Sequence, residues 1–172
     1  EVAGKPLLVR NLELARDHLG VVEFLVVVGH LGEQVREALG DGSAFGVQIR
    51  YVENDQVDGG LGTVLPAIQS VVHERFYLIL GDELYLNSNH AELRNMSPDC
   101  TAVCTLWDCE DERQIRKNYV ARQEGGRIVG LVEKPSRVDT PQLGCGTFVF
   151  SPEIFDFVAT AQAERSATCA IG

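Results

Sequence analysis

Two short apolar runs constrain this chain more than any other feature. Phe24-Leu25-Val26-Val27-Val28 and Phe76-Tyr77-Leu78-Ile79-Leu80 show no apolar/polar alternation, so each reads as a strand covered on both faces. Strands of that kind belong to a sheet layered between helices. The intervening segments fit. Lys5 to Leu19 carries leucines near helical spacing and is stopped by Gly20, and Leu31 to Leu39 reads as a short amphipathic helix closed by Gly40. Val47 to Val52 alternates as a strand, and Thr63 to Val72 reads as a helix, with Thr63 as its N-cap and Pro66 in its first turn. The βαβ rhythm predicts a parallel sheet.

The second half changes character. Strands are expected at Thr101–Leu106, Tyr119–Arg122, Ile128–Val132 and Thr147–Phe150, with a hairpin turn at Gly125-Gly126, and a helix begins at Ser151-Pro152. The expectation is an α/β fold, one domain over 1–172, with a mixed, mostly parallel sheet flanked by helices.

Composition removes several function classes. The 172 residues carry a net charge of −10 with no basic run, which excludes the electrostatic footprint of a nucleic-acid binder. No apolar run approaches the length of a membrane span. The five cysteines have neither zinc-site spacing nor the density of a secreted disulfide scaffold, which points to reduced thiols in a cytoplasm. Glu1 is not an initiator Met and Ala170-Ile171-Gly172 is no evident stop, so the chain is expected to be cut at both ends.

Four stretches can carry chemistry. Gly81-Asp82-Glu83 follows a buried strand, and open α/β sheets bind ligands beyond the carboxyl ends of their strands. A carboxylate there can hold Mg²⁺ against nucleotide phosphates, Asp82 first and Glu83 as fallback, although Gly-Asp after a strand is by itself more often a turn with a solvated acid. Gly59-Gly60-Leu61-Gly62-Thr63 precedes a helix, so backbone amides can approach a nucleotide, and the Gln56 amide can read a base edge; such loops alone are usually turns. Glu133-Lys134-Pro135 ends a strand, where Lys134 could hold a phosphate and Glu133 could accept from sugar hydroxyls, or the two could be a plain exposed pair. Gly144-Cys145-Gly146 suggests close backbone approach or a bulge.

In order and spacing these pieces resemble the sugar-1-phosphate nucleotidyltransferase family. Gly4-Lys5-Pro6-Leu7-Leu8 is similar to its "GKPLL", Leu61-Gly62-Thr63 to its "LGT" turn, and Leu80-Gly81-Asp82 to its "NGD" metal strand, with Leu for Asn. Asn118-Tyr119-Val120 resembles the "YG" before the hairpin, Glu133-Lys134-Pro135 the "EKP", and Gly144 to Phe150 the "NAGIYVF". Each is common alone; their shared register carries the resemblance.

The resemblance implies a Rossmann-like domain of the nucleotide-diphospho-sugar transferase type. Its activity would be transfer of a nucleoside monophosphate from an NTP to a sugar 1-phosphate, with release of pyrophosphate and Mg²⁺ as cofactor. By carry-over, Gln56, Gly62, Thr63 and Gly81 would bind the nucleotide, Asp82 would hold the metal, and Asp82 and Lys134 would serve catalysis. Glu133, Lys134 and the backbone at Val120 and Gly144 would take the sugar phosphate. Partners would be those two substrates, with no nucleic acid or membrane, and with homo-oligomer formation left open.

Departures define the alternatives. The family's first strand and its Gly-rich Arg/Lys loop should precede Glu1, and a second metal-binding Asp should follow Gly172. The absent strand would lie between the strands ending at Val28 and Leu80, leaving two unpaired edges, and the chain alone is expected to be inactive and poorly stable. Val120 replaces a family Gly, and Gly144 a family Asn. A non-catalytic nucleotide-sugar-binding regulator, a cytidylyltransferase acting on a phosphate such as phosphocholine, and, last, a glycosyltransferase of related topology are the alternatives.

Overall fold

A computed structural model describes residues 1–55, 60–96 and 99–169, with residues 164–169 described in backbone only. The chain opens with α1 (Leu7–Leu14), which continues as a wider π turn over Ala15–Leu19 and stops at Gly20 in the left-handed conformation. β1 (Glu23–Val28) and β2 (Gln48–Glu53) flank α2 (Gly32–Leu39), and α3 (Leu61–Ile68) leads to β3 (Phe76–Ile79). β4 (Ala102–Asp108), the short α4 (Glu112–Ile115), the hairpin β5 (Tyr119–Glu124) and β6 (Arg127–Glu133), β7 (Gln142–Phe150) and α5 (Ile154–Cys169) complete it. Gly125 and Gly126 both have positive φ, the requirement of a tight turn matched to strand twist.

The strands form two separate sheets. β1 and β2 pair in parallel, residue 23 against 48 through 28 against 53. The other five group around β7, which pairs antiparallel with β3, β4 and β5, while β6 pairs with β5. Among the described residues the parallel ladder is therefore one of five, less than the apolar runs led us to expect. An unbroken apolar run reports cover on both faces and says nothing of strand direction. β3 is covered in that way and still pairs antiparallel.

Helices bridge the two sheets. Phe24 and Val26 of β1 pack in a cluster with Val9 and Leu12 of α1, and Tyr77 and Ile79 of β3 pack against Ala15 and Leu19. The alternate residues Leu25, Val27, Phe76 and Leu78 meet Leu65 and Ile68 of α3 on the opposite face. α1 runs antiparallel to β3, since Leu8 lies at Gly81 and Ala15 and Leu19 lie near Tyr77. The short link from Leu19 to Glu23 sets β1 antiparallel to the same helix. β1 and β3 thus run in the same direction, edge facing edge, and are not paired with each other. A cavity of about 1380 Å³ lies between them, lined by both strands and by side chains of α1 and α3.

No described helix is long and apolar enough to cross a membrane. Cys100, Cys104, Cys109 and Cys145 are all free thiols.

Candidate functional site

The carboxyl ends of three strands meet at the cavity. Gly29-His30 after β1, Asn54-Asp55 after β2 and Gly81-Asp82 after β3 all line it. Close backbone approach assembles them. Asn54 N–H donates to the Val28 carbonyl at 2.8 Å, and a Cβ on Gly29 would meet the Asn54 carbonyl oxygen at 2.7 Å. The same holds at β3, where a Cβ on Gly81 would fall 2.7 Å from Leu8 Cδ2. These contacts fix strand ends that sequence alone leaves as generic turns.

Asp82 is exposed there, and its carboxylate makes no hydrogen bond or ion pair with a described residue. Glu83 differs. Its Oε2 accepts from Tyr85 O–H at 2.6 Å and from Gly146 N–H at 2.8 Å, so this carboxylate is committed to β7 and does not line the cavity. The fallback ligand is thereby occupied.

The Gly-rich turn adjoins the same strand ends. Gly60 is the N-cap of α3, which corrects the expectation for Thr63. Thr63 sits in the first turn, its hydroxyl 3.0 Å from the Gly60 carbonyl it donates to and 3.4 Å from the Asn54 amide nitrogen. Pro66 lies one turn further in than expected, so no N–H is available to the Gly62 carbonyl four residues back. Gln162 of α5 supplies a donor instead, at 3.3 Å. A second cavity of about 270 Å³ is lined by Asn54, Gly62, Thr63, Pro66, Ala67 and Gln162. Gln56 lies outside the described residues.

Glu133 and Lys134 stand apart from the cavity at the end of β6, exposed and 3.5 Å from each other. Lys134 has φ +45°, a left-handed conformation that few non-glycine residues adopt, with its N–H donating to the Asn118 carbonyl at 2.7 Å. Val120 is 1% exposed, packed with Cys109, Ile115 and Leu143 and paired on both edges, so its side chain faces no ligand. Gly144 is buried beneath the ring of Tyr119, whose hydroxyl donates to the Cys145 carbonyl at 2.9 Å. Burial pushes the Cys145 thiol up to about 11 and raises the Tyr119 phenol as well.

His30, Asn54, Asp55 and Gln162 line the two cavities and were not singled out by any motif. For the first three the signal is a place just after a strand, which counts only once β1 and β2 are known to pair in parallel. Gln162 had none, because only the fold brings α5 to Gly62.

The Nucleotidyl transferase family pattern matches residues 1–171. The chain belongs to the nucleotidyl transferase family. It is 30% identical over 162 residues to a glucose-1-phosphate thymidylyltransferase of Streptomyces griseus, covering 92% of this chain and 44% of the relative. It is 32% identical over 160 residues to the low-salt glycan biosynthesis nucleotidyltransferase Agl11 of Haloferax volcanii, covering 91% and 44%. This nucleotidyl transferase chain therefore spans less than half the length of those relatives. Its fold is that of the inositol-1-phosphate CTP transferase of T. maritima, with TM-score 0.69, 24% identity, and coverage of 91% of this chain and 62% of that one. A UDP-glucose pyrophosphorylase complexed with UDP-glucose gives TM-score 0.71 at 22% identity, covering 91% and 68%.

Proposed function

We propose that the whole protein transfers a nucleoside monophosphate from an NTP to a sugar 1-phosphate. A phosphate oxygen of the acceptor attacks the α-phosphorus, the bond from that phosphorus to the bridging β-phosphate oxygen breaks, and pyrophosphate leaves. The observation that carries this reading is the convergence of Gly81-Asp82 and Asn54-Asp55 at the carboxyl ends of β3 and β2, with Gly62 and Thr63 beside Asn54. The names of the curated relatives, thymidylyl- and uridylyltransferases of glucose 1-phosphate, support that acceptor class.

The proposed roles are those the family resemblance implies. The amides and hydroxyl of Gly62 and Thr63, with Gln56 and Gly81, bind the nucleotide. Glu133, Lys134 and the backbone around Val120 and Gly144 bind the sugar phosphate, with the Lys134 ammonium meeting the phosphate. Catalysis is by positioning and charge neutralisation, with no covalent intermediate.

No group of three or more His, Cys, Asp or Glu able to hold a metal occurs among the described residues. Mg²⁺ does not need one, because it binds through one or two carboxylates, its own waters and substrate phosphates. The uncommitted carboxylate of Asp82 fits that mode and would hold the ion. Bound there, the ion would neutralise charge on the phosphates it touches.

The slot between β1 and β3 is the place for one further parallel strand, apolar on both faces because α1 covers one side and α3 the other. The protein is proposed to act in the cytoplasm. The test is pyrophosphate release by the full-length protein with Mg²⁺ across four NTPs and a panel of sugar phosphates. Turnover with one pair is expected; none with any pair would overturn the reading.

A further inference from the structure

Gly81 and Asp82 are fastened at both ends to a single residue of another strand. Leu80 N–H, just before them, donates to the Gly146 carbonyl at 2.8 Å. The Glu83 carboxylate, just after them, accepts from the Gly146 N–H at 2.8 Å. Gly146 must be glycine for this: a Cβ would fall 2.8 Å from Glu83 Oε1 and 2.8 Å from Leu80 Cβ. Behind the carboxylate runs a buried chain. Tyr85 O–H donates to Glu83 Oε2 at 2.6 Å, the Thr147 hydroxyl donates to the Tyr85 oxygen at 3.0 Å, and His90 Nε2 lies 3.1 Å from the Thr147 oxygen. With the Thr147 proton given to Tyr85, Nε2 must carry the proton it donates to Thr147. Every donor then points toward Glu83. Thr147 is fully buried, His90 is 5% exposed, and the Tyr85 ring packs edge-on against His90 at 4.4 Å.

We propose that Glu83, backed by Tyr85, Thr147 and His90, is a positioning residue that holds the Gly81-Asp82 turn on Gly146. It thereby fixes the Asp82 carboxylate relative to the Gly144-Cys145-Gly146 backbone. This rests on the nucleotidyl-transfer reading, in which Asp82 serves the nucleotide side and Gly144 the acceptor side. Two substrates that must meet in line tolerate little error in that spacing. A charged acceptor at the end of an aligned donor chain gives the turn a stiffer anchor than a neutral bond.

The test uses the full-length protein. Glu83→Ala and Tyr85→Phe are expected to lower kcat by about 10- to 100-fold, the range seen when a supporting hydrogen bond behind an active group is removed. KM for both substrates should stay within about twofold, since neither residue touches them. Glu83→Gln, which still accepts from Gly146 N–H, should recover most of the rate, and amide exchange at Gly81 and Asp82 should speed up in Glu83→Ala and Tyr85→Phe but not in Glu83→Gln. An active wild type with kcat unchanged in folded Tyr85→Phe would overturn this inference alone. A wild type without turnover would overturn the function it rests on.

Discussion

The ring of Tyr119 lies directly on the Cα of Gly144: a Cβ built there would fall 1.9 Å from two ring carbons and 2.5 Å from the hydroxyl oxygen. The absence of a side chain at 144 is thus required by packing, and a family-type Asn could not enter while Tyr119 holds its place. Gly144→Ala should destabilise the fold by roughly 1–3 kcal/mol, the usual cost of overpacking. Adding Tyr119→Leu should return part of that loss, because the two positions share one space. Urea midpoints of the single and double variants measure it. An unchanged midpoint in Gly144→Ala would contradict the contact.

Lys134 holds φ +45° without the freedom of glycine. Lys134→Gly should relieve that strain and raise stability by about 0.5–1 kcal/mol, offset in part by the entropy of a freer unfolded chain. In the full-length protein the same change should raise KM for the sugar phosphate. Thermal melts and steady-state kinetics give the two readouts. A melt lowered together with an unchanged KM would reject both roles.

Burial, and secondarily the charge of His18, lowers the pKa of His90 below the ordinary imidazole value. The unfolded chain takes up that proton near about pH 6.5 and the folded chain only at lower pH. The stability contribution is therefore complete above about pH 6.5 and is lost as the pH falls through the folded value. Melting temperature measured from pH 8 to 5 should drop on the acid side, and His90→Gln should flatten that limb. Identical slopes for the two proteins would exclude His90 as the cause.

The slot between β1 and β3 makes its own prediction. In a parallel ladder only alternate amides of β1 face β2, so the others face the cavity. In this chain the slot-facing amides of Phe24–Val28 and Tyr77–Ile79 should exchange fast, and in the full-length protein they should be protected by an added strand. Hydrogen exchange at residue level decides this. Equal rates in the two forms would leave no strand in the slot.

Much of this architecture is legible in the sequence because local physics dictates it. The apolar run Phe76 to Leu80 had to be buried on both faces, Gly20 had to end its helix, and Gly125-Gly126 had to turn. What escaped depended on distant partners. Nothing local to Glu83 foretells that Gly146, 63 positions away, takes its carboxylate out of contention as a ligand. Nothing local to Pro66 foretells that Gln162 will satisfy the Gly62 carbonyl. The candidate site was partly legible for the same reason: the place of Asp82 at the cavity follows from its position after a buried strand, whereas Asn54 and Asp55 needed the parallel pairing of β1 with β2 before they counted.

Asp82 is proposed to serve nucleotidyl transfer. Its most direct test is Mg²⁺-dependent pyrophosphate release by the full-length protein and its Asp82→Asn variant, with the preferred NTP and sugar phosphate. A loss of at least about 10²-fold in kcat is expected, the scale of removing a group that stabilises charge in the transition state. The variant's melting temperature should be unchanged, because the exposed carboxylate has no partner among the described residues. Wild-type turnover in a folded Asp82→Asn protein would contradict it.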